Sequence, residues 1–254
     1  MTKLSGIFAA TMSILNIDLS LNVDKTIDHA EKLIDQGCHG TAIFGSTGQS
    51  QLISIPEKIE LLNKLSKSKY RDKHLIGTGL NSLSETINFM KIASSLNFKK
   101  FLIMPPAYYK YGDSEVIEFY SRIIDSLPDC EIILYNFEKL CGYKFSLDCV
   151  KKLKKEFPNQ IIGVKDSSYN LFENLKLDNF SVFPGSELKL LQALQLGCDG
   201  IITATCNVTA SLSRQVYDDY LSGKKQLHNK KLCEVRGIFD QYNLISGLHT
   251  FYSK

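Results

Sequence analysis

Lys165 closes the run Ile161-Ile162-Gly163-Val164-Lys165, which would set an ammonium group among the apolar walls of a buried strand. Desolvation there disfavours the charged form, and a neutral amine in a dry pocket attacks a carbonyl carbon to form a Schiff base. The same position is open to a plainer use, a lysine at a strand end that snorkels to water or pairs with the adjacent Asp166. Gly45-Ser46-Thr47-Gly48 supplies two hydroxyls and amide hydrogens in a tight turn, a concavity suited to a carboxylate. Tyr135 ends another apolar run, where its phenol would shuttle a proton or simply pack. Tyr108 and Tyr109 follow Pro105-Pro106 and, taken singly, read as packing or interface aromatics.

Other chemistries find less support. The stretch 40–46 has the glycine spacing of a phosphate loop but lacks its lysine. Gly77-Thr78-Gly79-Leu80-Asn81-Ser82 lacks the last glycine of a dinucleotide fingerprint. Seven cysteines form no Cys-x-x-Cys pair, and five histidines show no spacing typical of zinc ligands. The expectation is a reduced chain with no metal and no cofactor.

These residues need elements to position them. Short β-branched or apolar runs at 6–11, 40–45, 75–79, 100–104, 132–136, 161–165, 181–185 and 200–205 read as strands. Stretches of helical periodicity lie between and after them, near 24–36, 57–68, 83–96, 114–126, 146–156, 170–176, 187–196 and 209–221. Asp24, Ser54-x-x-Glu57, Ser84, Asp113 and Ser146 stand near helix starts, and Gly37 and Gly197 near helix ends. Eight successive β-α units with strands apolar on both faces predict an α/β fold, a (β/α)8 TIM barrel. A doubly wound open sheet is the runner-up, but its first strand should lead into a glycine-rich phosphate loop. Here it runs into Ala9-Ala10-Thr11-Met12. The expected division is a barrel over 1–223 and a short C-terminal helical extension over 224–254.

The chain has 254 residues, 44% hydrophobic and 22% charged, with a formal net charge of +3. That composition is globular, and the scattered lysines give no reason to expect nucleic acid. No apolar run approaches the length of a membrane span, and the N-terminal stretch lacks the apolar core of a signal peptide. A cytoplasmic location is expected.

In barrels of this kind reactive residues gather at the C-terminal ends of the strands. Gly45-Ser46-Thr47-Gly48, Pro106-Ala107-Tyr108-Tyr109, Tyr135-Asn136 and Gly163-Val164-Lys165-Asp166-Ser167-Ser168 fall there in order. Together with Phe183-Pro184-Gly185-Ser186 and Gly197-Cys198-Asp199-Gly200-Ile201-Ile202, this series resembles the dihydrodipicolinate synthase / N-acetylneuraminate lyase family, class I Schiff-base pyruvate aldolases. The resemblance implies Lys165 as the Schiff-base lysine, Tyr135 as the proton-relay tyrosine and Ser46 as part of that relay. It implies Tyr108 as a relay tyrosine inserted into a neighbouring subunit's site. Substrate contacts are implied at Thr47, Gly185, Ile202, Leu140 and Glu187. Pyruvate and an aldehyde are the implied substrates, with a homodimer or homotetramer as the assembly, and neither nucleic acid nor membrane as a partner.

The departures bear on the aldehyde. Synthases of the lysine pathway resemble Tyr-Asn-x-Pro-x-Arg-x-Gly, whose Arg binds the carboxylate of aspartate semialdehyde. Here Glu138 and Leu140 stand at the Pro and Arg positions. A sialic-acid lyase tolerates that leucine, but its acidic pair after strand seven is reduced to Glu187-Leu188, and Ala204 replaces a usual serine. Gly185-Ser186-Glu187 looks closer to 2-keto-3-deoxy sugar-acid aldolases. The usual glutamate after Gly48 is Gln49, and the helical tail is shorter than most members carry. A 2-keto-3-deoxy sugar-acid substrate is therefore expected ahead of dihydrodipicolinate synthesis or sialic-acid cleavage. A barrel that binds pyruvate without catalysis is the reading from another class.

Overall fold

Each of the eight apolar runs pairs with its neighbours as a parallel strand in the computed structural model, which describes residues 3–252. Residues 1–2 and 253–254, at the outer ends of the expected division, lie outside the described residues. The strands are β1 (Gly6–Ala10), β2 (Gly40–Ile43), β3 (His74–Gly77), β4 (Lys100–Ile103), β5 (Glu131–Asn136), β6 (Ile161–Asp166), β7 (Ser181–Pro184) and β8 (Gly200–Thr203). They follow the order β7-β6-β5-β4-β3-β2-β1-β8. β7 and β8 close on each other through Asp199, whose N–H donates to Val182 O at 3.1 Å while its Oδ2 accepts from Val182 N at 2.9 Å. The result is a nearly closed (β/α)8 barrel, as the alternation predicts.

Around it run α1 (Val23–Asp35), α2 (Ile55–Leu65), α3 (Leu83–Ser95), α4 (Asp113–Ser126), α5 (Glu138–Cys141), α6 (Leu147–Glu156), α7 (Leu190–Gln195) and α8 (Cys206–Leu221). Two more, α9 (Asn229–Phe239) and α10 (Leu244–Tyr252), follow the barrel. α2 begins with a full capping box, Ser54 and Glu57 each satisfying the other's backbone amide, and Ser146 caps α6. α1 and α3 are capped by Asn22 and Ser82, each two residues before the expected Asp24 and Ser84. Gly37 and Gly197 follow α1 and α7 at φ 114° and 81°, conformations closed to most side chains.

The strand period sorts the core into two shells. Ile132 and Leu134 of β5 pack outward against the helices. Ile133 and Tyr135 point inward to meet Phe8, Leu102, Phe183 and Ile202. The barrel interior is thus a packed core, with the candidate site residues gathered toward the C-terminal ends of its strands.

One expected helix is absent. The stretch 170–176 forms turns, because the Asp166 carboxylate captures the amides of Leu171 and Phe172 at 2.8 and 3.0 Å. Only one helical turn follows, with Leu175 N donating to Leu171 O at 2.8 Å. α5 was not foreseen, and α8 starts at Cys206 rather than 209. Among the described residues no helix is long and apolar enough to cross a membrane.

Candidate active site

A bulge decides where Lys165 points. Across β5 and β6 the register runs Ile132↔Ile161 and then Ile133↔Gly163, so Ile162 is one residue extra on β6. Without it Lys165 would lie opposite Asn136; with it Lys165 lies opposite Tyr135 on one side and Phe183 on the other. Both neighbours belong to the inward shell, so the bulge turns the lysine from the helix layer into the barrel. Gly163 permits the tight fit, since a Cβ there would come within 2.6 Å of Ser181 O.

Lys165 is 3% exposed, and its Nζ lies 4.1 Å from the centroid of the Tyr135 ring. The Tyr135 hydroxyl and Ser46 Oγ are hydrogen-bonded at 2.8 Å. Three of the sequence-identified residues therefore form one line from β6 through β5 to the turn after β2. Asp166 turns its carboxylate away from pairing with Lys165. Its Oδ2 accepts the Leu171 and Phe172 amides, and its Oδ1 accepts from Asn136 Nδ2 at 2.8 Å. Burial pushes the Asp166 carboxyl up, and those donors oppose the push. Asn136 also accepts from Phe145 N at 3.1 Å and donates to Asn170 Oδ1 at 2.7 Å, tying together the ends of β5 and β6. Asn136 was read only as Tyr135's neighbour; its role as a buried tie has no local signal.

The Ser46 turn is held from both sides. Ser13 Oγ donates to Gly48 O at 2.6 Å, and Gln49 N donates to Ser46 O at 3.1 Å. Thr47 is buried within it. Against this turn lies a cavity of about 300 Å³, walled by Phe44, Leu102 and Met104 and by Ser46, Gln49 and Tyr135, with Leu140 and Ile245 also in its lining. Its lining, among the described residues, includes no charged side chain. Lys165 is not in that lining; it meets the cavity wall through the ring of Tyr135. A larger cleft of about 860 Å³ lies at the opposite end of the barrel, where Lys100 and Glu131 begin their strands. It contains none of the residues that carry chemistry, so size does not mark the site here.

The remaining sequence-identified residues take varied places. Ile202 is wholly buried in the inward shell beside Tyr135 and Phe183. Gly185 closes β7, where a Cβ would meet Ser167 Oγ at 2.3 Å. Tyr108 is 89% exposed at φ 83° and stacks edge-on with Tyr109 at 5.0 Å between centroids, outside this chain's own cavity. Glu187, expected to touch substrate, is instead bonded within the chain. Its Oε2 accepts from Thr203 Oγ1 at 2.8 Å and Arg236 at 3.2 Å, and its Oε1 from Thr209 Oγ1 at 3.1 Å. Both oxygens are thereby engaged. Arg236 belongs to α9, so this pair binds the post-barrel helices to the site end of the barrel. α10 follows suit: Leu248 packs with Met12 and Ala204, and the Tyr252 hydroxyl donates to Asn207 O. Arg236 and Ile245 escaped the sequence reading, since nothing local marks them.

Fold and site together define a (β/α)8 barrel with a buried lysine at the end of strand six, set against a tyrosine–serine pair. The dihydrodipicolinate synthetase family matches residues 3–251, and the chain belongs to that family of aldolase-type lyases. An uncharacterized DapA-like lyase of Chloroflexus aurantiacus is 30% identical over 198 residues, 75% of this chain and 66% of the relative. A 4-hydroxy-tetrahydrodipicolinate synthase of Listeria innocua is 30% identical over 230 residues, 86% of this chain and 78% of that one. In fold, the chain matches YagE, an E. coli K12 prophage protein of the dihydrodipicolinic acid synthase family crystallised with pyruvate. That match has a TM-score of 0.89 at 24% identity, over 98% of this chain and 87% of the other. The chain thus spans about two thirds of the length of the first relative named.

Proposed function

We propose that the chain is a pyruvate-dependent class I aldolase that makes or cleaves a 2-keto-3-deoxy sugar acid or a close analogue. The observation that carries this is the Lys165–Tyr135–Ser46 line. Lys165 Nζ attacks C2 of pyruvate, and the carbonyl oxygen departs as water with a proton relayed by Tyr135 and Ser46. Loss of a C3 proton then gives an enamine. Its C3 bonds to the aldehyde carbon while the aldehyde oxygen takes a proton, and water releases the product from the lysine. Thr47 and the turn amides hold the pyruvate carboxylate, with Gly185 and Ile202 shaping that end. The imine is itself the electron sink, so the scheme calls on neither metal nor organic cofactor.

The cavity wall supports the choice of aldehyde. In a 2-keto-3-deoxy sugar acid the carboxylate belongs to the pyruvate half, and the aldehyde half is neutral. Aspartate semialdehyde brings a second carboxylate, and the lining, with Leu140 in it, presents no cation to it. A charge left unpaired there costs roughly 2–5 kcal/mol, about 30- to several-thousand-fold in affinity. Glu187 is reassigned from substrate contact to holding Arg236.

A second copy completes the relay with its Tyr108, and the exposed Tyr108–Tyr109 pair supports such an interface. The barrel, expected over 1–223, carries the reacting groups, the described residues that follow it pack against its site end and add Ile245 to the cavity wall, and the enzyme works in the cytoplasm. The test is a kinetic comparison of pyruvate with neutral sugar aldehydes and with aspartate semialdehyde. Turnover of a neutral aldehyde is expected; efficient turnover of the semialdehyde would reverse the assignment, and adduct formation without any turnover would favour a binding protein.

A further inference from the structure

The cavity beside Ser46 and Tyr135 has a buried floor and an accessible rim. Phe44, Leu102 and Tyr135 are at most 3% exposed, whereas Leu140 is 45% exposed and Met104 and Ile245 are half-buried. Solvent, and so a ligand, reaches the rim side chains directly. Leu140 and Ile245 come from separate elements, α5 and α10. Ile245 lies on the stripe that α10 turns to the barrel. Leu248, three residues on, packs against Met12 and Ala204, and Tyr252, four further, meets the His29 ring edge-on at 4.8 Å between centroids. Beside Leu140, Glu138 is paired with Lys144 at 3.1 Å, and neither Glu138 nor Lys139 lines the cavity.

The polar side chains of the lining gather elsewhere. The Ser46 hydroxyl meets Tyr135, Ser50 Oγ donates to Thr78 O at 3.0 Å, and Gln49 and Gln51 belong to the same segment after β2. The part of the wall made by Met104, Leu140 and Ile245 offers side chains of carbon and thioether sulfur alone. An apolar group placed there leaves water favourably, whereas a terminal hydroxyl gives up its hydration with no side chain to replace it. We propose that the aldehyde half ends in an alkyl group, a methyl in the smallest case, which Leu140 and Ile245 hold against Met104. This rests on the aldolase reading above and narrows it. The substrate is a 2-keto-3-deoxy acid that lacks the terminal hydroxyl, and Ile245, on a helix beyond the barrel, sets specificity together with Leu140. The addition itself is unchanged: C3 of the enamine bonds to the aldehyde carbon, the aldehyde oxygen takes a proton, and nothing is oxidised or reduced.

The test compares lactaldehyde with glyceraldehyde, alike except for a methyl in place of the terminal hydroxymethyl, each with pyruvate. It uses the wild-type chain, Leu140→Gln, Ile245→Thr and the double variant. The ratio of the two kcat/KM values is read, so a loss common to both aldehydes cancels. The wild-type chain should favour lactaldehyde by about tenfold, each single variant should cut that ratio about threefold, and the double variant should bring it near one. Leu140 is exposed enough that Leu140→Gln gives a reading even where Ile245→Thr fails to fold. A wild-type chain that treats the two aldehydes alike, or favours glyceraldehyde, would overturn the proposal. So would a ratio unchanged within twofold in the variants that fold, the result expected where a second copy rather than substrate covers these side chains. Failure of the wild-type chain to trap pyruvate on Lys165 with borohydride would instead remove the aldolase reading itself.

Discussion

Lys165 and Tyr135 are cross-strand partners only because β6 carries one residue more than β5 between Ile161 and Gly163. The consequence is an amine 4.1 Å from the Tyr135 ring centroid, with the phenol of that ring bonded to Ser46 at 2.8 Å. Tyr135 therefore has two separable features, a ring face toward the amine and a hydroxyl toward Ser46.

Tyr135→Phe separates them. It keeps the ring against Lys165 and removes the proton path to Ser46. General acid–base groups contribute about 10²–10⁴-fold, so kcat should fall by that order while KM for pyruvate changes little. Steady-state kinetics check this; a kcat within fivefold of wild type would show that the hydroxyl carries no proton.

The Glu187–Arg236 pair predicts a stability effect at a distance from the chemistry. Glu187 is wholly buried and Arg236 nearly so. Removing one partner of a buried ion pair costs about 3–5 kcal/mol, because the other charge stays in place. Arg236→Met should therefore destabilise the fold by about that amount, and Glu187→Gln combined with Arg236→Met by clearly less. Denaturant melts of the single and double variants decide it. Strict additivity would mean that the two residues do not act on each other.

Lys58 gives the pH dependence. It is wholly buried on α2, its Nζ donating to Thr78 O at 2.8 Å between the rings of Phe44 and Phe89. Burial pulls its pKa from 10.5 down to about 8, with Glu85 opposing. The unfolded chain holds that proton up to about pH 10.5, so between pH 8 and 10.5 the unfolded state binds more protons and stability rises with pH. Below pH 8 the full penalty remains, on the order of 3 kcal/mol. Lys58→Met leaves Ser50 Oγ on Thr78 O. It should raise stability at pH 7 by about 1–3 kcal/mol and flatten the rise above pH 8. A less stable variant with an unchanged slope would contradict this.

Assembly is tested through Tyr108. Light scattering should give a dimer or a tetramer, and Tyr108→Phe should lower kcat about tenfold or more without dissociating it. A fully active monomer would refute the second-copy role.

How much of this was legible in the sequence follows from the range of each interaction. The eight strands were readable because each is a short apolar run bounded by Gly, Asn, Lys or Ser, and Ser54-x-x-Glu57 announced α2 through contacts three residues apart. Segment 170–176 misled because its periodicity is helical while Asp166, several residues earlier, takes its first amides. Ser46, Tyr135 and Lys165 were singled out from their strand-end positions, and the fold brings the three together. The bulge at Ile162 left no mark in composition, although it alone sets the direction of Lys165. The bonds of Glu187 within the chain were not foreseen because its partner Arg236 lies 49 residues away on a helix beyond the barrel. Ile245 reaches the cavity by the same long-range packing.

The central claim, that Lys165 forms a Schiff base with pyruvate, is tested most directly by incubating the chain with pyruvate, reducing with borohydride and mapping the adduct by mass spectrometry. The account predicts one reduced pyruvyl adduct, located on Lys165 and lost in Lys165→Met. No adduct, or an adduct on a different lysine, would contradict it.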